Sequence, residues 1–254
     1  MRPTLILAGN ILLEARRSGL PWLALACVAA AIVLAAFVSQ VALTESLQLQ
    51  SALAAALLRA CAAFLVMVTV ASSTVREIAD KGFDLMLSLP LSRAVQYIGR
   101  WIGHALCAAL VALLFSLPLL LWNAPGAVLH WGLSLAFELA LIAALALFFS
   151  IALAQHLPAV AASAGFYLLA RMLATIQSIA GTPLVDTNWA QRAARWTIDA
   201  IAFLLPRLDA ATRTDWLLYG TPPAADYVAV LGGLALYTVL LLAAGLIDLH
   251  RRNL

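Results

Sequence analysis

Long apolar runs separated by short polar stretches dominate the chain. Six of them, residues 20–43, 51–74, 101–122, 131–155, 158–180 and 226–249, are candidates for the roughly 20-residue helix that crosses a hydrocarbon core of about 30 Å. Each predicts a spanning helix, because a backbone in lipid must satisfy its own polar groups and a helix does so within one segment. Ahead of the first run, Thr4 to Ser18 interleaves Leu5, Ile6, Ile11 and Leu12 with Asn10, Glu14, Arg16 and Arg17. That amphipathic pattern predicts an elbow helix within residues 1–19, lying along the membrane surface. The first long run exceeds the roughly 7–15 residues of a signal-peptide core, so it is expected to remain as an anchor. The expected architecture is all-α, one integral membrane domain over residues 1–254 with six transmembrane helices.

Composition agrees with this pattern. Hydrophobic residues make up 65% of the chain, against about 45–50% in soluble domains. The net charge of +3 arises from arginines that alternate loops segregate. Arg2, Arg16, Arg17, Arg76, Lys81, Arg93, Arg100, Arg251 and Arg252 fall on one side, and the first two loops of the other side hold essentially no basic residues. The positive-inside bias then places both termini in the cytoplasm, with aromatic residues such as Trp22, Trp101, Trp122 and Trp131 near span ends. The basic balance therefore reflects membrane orientation, and no nucleic-acid role is expected. Cys27, Cys61 and Cys107 lie inside apolar runs and the four histidines are scattered, so neither a disulfide nor a metal set is expected.

The most polar connection is Val75 to Arg100, VREIADKGFDLMLSLPLSRAVQYIGR. Read as a helix over 75–88, it aligns Arg76, Asp80, Asp84 and Ser88 on one stripe and pairs Arg76 with Asp80 and Glu77 with Lys81. Pro90 stops that helix and Ser92 is placed to cap the next. The segments Val75-Arg76-Glu77, Leu85 to Arg93 (LMLSLPLSR) and Tyr97-Ile98-Gly99-Arg100-Trp101 resemble the connection between the second and third spans of ABC-2 type transporter permeases. The elbow, the six spans, a long external loop before the last span and a basic tail resemble that family too. Leu205-Pro206-Arg207-Leu208-Asp209 and the short length resemble its branch grouped with multi-copper-enzyme maturation and nitrous-oxide-reductase assembly.

The resemblance implies the type V exporter permease fold in a bacterial inner membrane. It implies a coupling segment at 75–92 that docks on a separate P-loop ATPase, with Glu77, Ile78, Asp80, Lys81, Phe83, Asp84 and Leu85 as the contact residues. It implies a second permease copy, identical or related, and no cofactor in this chain, with ATP and Mg bound by the ATPase. The residues agree on one point: the single lysine, Lys81, follows Asp80 and sits in no glycine-rich loop, so the chain has no P-loop of its own.

Ionisable residues inside spans are costly, about 2.5–3.5 kcal/mol each at a helix centre unless satisfied. Arg59, Glu138 and Arg171 are such residues, each several residues in from the outer end of its span. The expectation is that Glu138 pairs with Arg171, with Arg59 joining them or reaching outward, as a helix clamp or as the lining of a substrate path. In the last external connection, residues 181–225, basic and acidic residues nearly balance. Asn188 and Gln191 resemble a capping box opening an amphipathic helix that ends before Pro206, a lid or a surface for a periplasmic partner. Two other functions are compatible with the residues. One is a membrane scaffold or assembly factor, and the other is a membrane-embedded transferase using the carboxylates of Asp80 and Asp84, although no second acidic motif accompanies them.

Overall fold

The computed structural model describes residues 2–41, 46–80, 92–181 and 189–251. Among these the secondary structure is helical, with no strand. Six helices are long and apolar enough to cross a membrane, as in a multi-pass membrane protein. In chain order the helices are α1 (Arg2–Arg17), α2 (Leu20–Val41), α3 (Ser46–Ala79), α4 (Arg93–Ser116), α5 (Pro125–Leu153), α6 (His156–Gly181), α7 (Trp189–Leu204), the single turn α8 (Asp215–Leu218) and α9 (Ala224–Arg251). The spanning helices are α2, α3, α4, α5, α6 and α9.

Local chemistry sets several boundaries. Ser92 caps α4, its side chain accepting from the Val95 N–H at 3.4 Å. Pro118 follows the end of α4, where the chain tightens into a 3-10 turn over Leu117–Leu121. Ala154, at φ 51°, closes α5 in the left-handed region, and two residues later α6 begins, so the two helices form an antiparallel hairpin. One helix runs past the expected limit of its span into the stretch read as helical over 75–88. No break separates the second span from the polar connection: α3 continues without interruption through Glu77 and Ile78 to Ala79. Val75 to Ala79 favour helix, and nothing before Asp80 withdraws a backbone donor.

The centre of the bundle is α5, in which every residue from Leu141 to Leu147 is buried. A helix apolar on all faces packs on all faces, and α5 touches α3, α4, α6 and α9. By contrast α2 and α9 turn Trp22, Val33, Phe37, Val228, Leu236 and Val239 outward, each more than half exposed, as lipid-facing helices do.

The elbow helix is held tightly. Ile11 and Ala15 of α1 pack with Cys107 of α4, and Gly103 permits the approach. A Cβ at Gly103 would lie 2.8 Å from Ile11 Cδ1 and 3.0 Å from Ala8 Cα. Gly103→Val is therefore expected to lift α1 off α4, costing about 1–3 kcal/mol by overpacking. Limited trypsinolysis in detergent would show it as faster cleavage after Arg16 and Arg17. Gly9→Val, at a position where an added Cβ meets nothing within 4 Å, is the control that should leave cleavage unchanged.

Candidate functional site

Two polar clusters lie toward opposite ends of the bundle, separated along α3 by about 27 Å at 1.5 Å per residue. The first is built on Arg59 of α3, Glu138 of α5 and Arg171 of α6. Glu138 is fully buried. It accepts from Arg171 Nη1 at 3.3 Å and 3.4 Å, from Tyr167 Oη at 3.1 Å and from Thr212 Oγ1. One carboxylate thus serves a cation and two hydroxyls, the degree of satisfaction that a buried charge requires.

The two arginines do more than balance that charge. Arg171 Nη1 donates to the carbonyls of Leu208 (2.6 Å) and Ala211 (3.0 Å), and its Nη2 donates to Thr212 O (3.3 Å). Arg59 Nη1 donates to the same Thr212 carbonyl at 2.9 Å. Leu205, Leu208, Ala211, Thr212, Trp216 and Leu217 are all buried, so the stretch between α7 and α9 is seated in the bundle as a plug. Irregular backbone in such a place needs partners for its polar groups. The arginines supply them.

Thr212 is the pivot of the plug. Its φ of 48° is unusual for a β-branched residue. The conformation is fixed because each of its polar groups is bonded: the N–H to Ser134 Oγ at 2.9 Å, the hydroxyl to Glu138, and the carbonyl to both arginines. Sequence reasoning singled out Arg59, Glu138 and Arg171 through their charge. It missed Ser134, Tyr167 and Thr212, whose residue types are common in helices and loops alike. Of the two arrangements expected for Arg59, the one found is convergence with the other two charges.

The second cluster shares α3 and α6 with the first and joins them to α1, while α4 is tied to α3 and α9. Arg100 Nη1 of α4 lies 2.8 Å from Glu77 Oε2 of α3, with the arginine side chain only 4% exposed. Ser73 Oγ donates to Glu14 Oε2 of α1 at 2.9 Å, and Ser72 Oγ lies 3.0 Å from His156 Nε2 at the start of α6. Arg93 Nη1 donates to the Leu249 carbonyl near the end of α9 at 3.0 Å. A cavity of about 210 Å³ lies inside this girdle, lined by Glu14, Ser18, Thr69, Ser73, Arg76 and His104 among others. Ile11, Ala15, Leu20, Leu23 and Val68 form the apolar part of its wall.

Among the expected coupling residues, Glu77 turns toward Arg100, Ile78 is half-buried and Asp80 is exposed just beyond α3. Lys81, Phe83, Asp84 and Leu85 lie outside the described residues, as do Ser88 and Pro90. The stretch they occupy runs from the end of α3 to the start of α4, the two helices that Glu77 and Arg100 tie together. Among the described residues no group of three or more histidine, cysteine or acidic side chains is placed to hold a metal ion. In the last connection, α7 exposes Trp189, Trp196, Phe203 and Leu204, while Asp199 on another face accepts from Gln177 Nε2 of α6 at 3.3 Å. Its apolar side is thus free to enter lipid. No protein-family model matches this chain, and a comparison with curated proteins finds no match.

Proposed function

We propose that this chain is the membrane-spanning subunit of an ABC-2 type exporter of the bacterial inner membrane, driven by a separate P-loop ATPase that acts on the 75–92 segment. The observation that carries the reading is the polar girdle that ties together the helices flanking that segment. Glu77–Arg100 joins α3 to α4, Arg93 joins α4 to α9, and Glu14–Ser73 joins α1 to α3. A force applied between Ala79 and Arg93 would be delivered to four helices together. An untied loop would absorb it. The other end of α3, α5 and α6 grips the plug at Leu208–Thr212, so a tilt of those helices bears directly on the opposite opening.

The reading assigns Glu77 a transmitting role and leaves the exposed Asp80, with Lys81, Phe83, Asp84 and Leu85, as the surface for the ATPase. A second copy of the chain, or a related permease, completes the pathway, and a periplasmic partner could engage the external connection. The membrane is entered with both termini in the cytoplasm, as the arginine distribution favours.

The test is reconstitution with a P-loop ATPase sought among the neighbouring reading frames. Charge reversal of Asp80 and Asp84 together is expected to abolish co-purification of the ATPase. Glu77→Gln is expected to leave co-purification intact but to remove most stimulation of ATP hydrolysis, because the tie between α3 and α4 is lost while the docking surface is kept. Full stimulation by both variants would overturn the assignment.

A further inference from the structure

A groove of about 770 Å³ opens between the end of α7, the plug and the last span. On α9 it follows Asp226, Ala229, Val230, Gly233, Leu234 and Tyr237. Those positions recur at three- and four-residue steps, so they form one face of the helix, about 16 Å long at 1.5 Å per residue. That is close to half of a roughly 30 Å hydrocarbon core, the depth of one leaflet. The wall is apolar along most of this length, with Ala202, Phe203 and Leu205 opposite α9.

Three charged residues line the groove. Asp226 sits in the first turn of α9, and Arg207 and Arg213 reach the groove from the plug. Arg207 is 80% exposed and lies 3.9 Å from Asp209. Arg213 is about half exposed and pairs with Asp215. Each guanidinium has five donors, so a single carboxylate neighbour leaves donors for another oxyanion. Among the described residues Asp226 has no ion-pair partner. The groove therefore offers both cation and anion, and with Asp209 and Asp215 beside the arginines it has no excess of positive charge to favour a strongly anionic head.

We infer that this groove holds a single zwitterionic phospholipid with an ethanolamine headgroup. One acyl chain lies along the Val230–Gly233–Tyr237 face, the phosphate is met by Arg207 and Arg213, and the ammonium is met by Asp226. The inference does not depend on the transport reading: the lipid is retained whether or not an ATPase is present.

Gly233 provides the test. A Cβ added there meets nothing within 4 Å, and leucine is a better helix former than glycine, so Gly233→Leu fills the groove without disturbing the helix. Gly232→Leu is its control, because Gly232 is equally open yet does not line the groove. The full chain, purified in mild detergent with an equimolar mixture of phosphatidylethanolamine and phosphatidylglycerol, is read by native mass spectrometry. Wild type and Gly232→Leu are expected to carry one phosphatidylethanolamine per chain, and Gly233→Leu to lose it. Asp226→Asn should weaken the preference for phosphatidylethanolamine over phosphatidylglycerol by about tenfold, the loss of one charge-assisted contact. An unchanged adduct on Gly233→Leu would overturn the inference. So would equal loss from both glycine variants, or a change of oligomeric state on Gly233→Leu that marks the groove as the seat of a second copy.

Discussion

Glu138→Ala is expected to leave little folded protein after detergent extraction. The substitution strands two guanidinium groups in the bundle and removes the acceptor used by the Tyr167 and Thr212 hydroxyls. Breaking a buried ion pair from one side costs about 3–5 kcal/mol, a large part of the roughly 5–15 kcal/mol that separates folded from unfolded states of a domain. The melting temperature followed by tryptophan fluorescence should fall accordingly. Glu138→Gln keeps one of the two oxygens that accept from the Tyr167 and Thr212 hydroxyls and replaces the other with a donor, so its loss should be smaller than that of alanine. Removing the Glu138–Arg171 pair, in Glu138→Leu with Arg171→Leu, leaves Arg59 as the remaining charge and should recover part of the stability of the spans but release the plug, since the carbonyls of Leu208 and Ala211 lose their donor. Limited proteolysis would then cut within 205–219 while the helices stay intact. Wild-type melting for Glu138→Ala would show that the carboxylate is not the keystone of the cluster.

The second large effect is expected from a very small change. Gly245→Ala would drive a Cβ into Tyr97 Oη and place it 2.6 Å from Cζ. Alanine normally gains close to 1 kcal/mol over glycine inside a helix. Here the sign reverses, because Tyr97 is only 2% exposed and its rigid ring has nowhere to go. Overpacking of this kind costs about 1–3 kcal/mol. The loss should fall where α4 and α9 meet, one turn from the Arg93 contact with the Leu249 carbonyl. Tyr97→Phe should rescue the variant only in part, since Cζ remains in the way. Tyr97→Leu should rescue it more fully, and a double-mutant cycle on the melting temperatures measures the coupling. Additive effects of the two substitutions would refute the contact.

Both effects start from residues that carry different amounts of information in the chain. Glu138, Arg59 and Arg171 stand out in sequence because charge inside an apolar run is costly, so some partner had to exist. The six long helices follow from run length, the cap of α4 from Ser92, and the 3-10 turn after α4 from Pro118. The all-round burial of α5 follows from the absence of any polar face between Leu141 and Leu147. These features are local: a few neighbouring residues decide them.

The partners are another matter. The arginines are satisfied largely by backbone carbonyls at Leu208, Ala211 and Thr212, and a carbonyl has no signature in an amino-acid sequence. Gly103 and Gly245 look like any glycine in an apolar helix until Ile11 and Tyr97 are seen against them. Glu77, spaced to pair with Lys81 and a contact residue by the family resemblance, lies 2.8 Å from Arg100 because α3 runs on unbroken and brings it alongside α4. Hydropathy along the chain, by itself, determined which segments become helices and which positions could not be left unsatisfied. Only the tertiary packing decided which groups satisfy them, because those groups are distant in the chain and become neighbours only when the helices close.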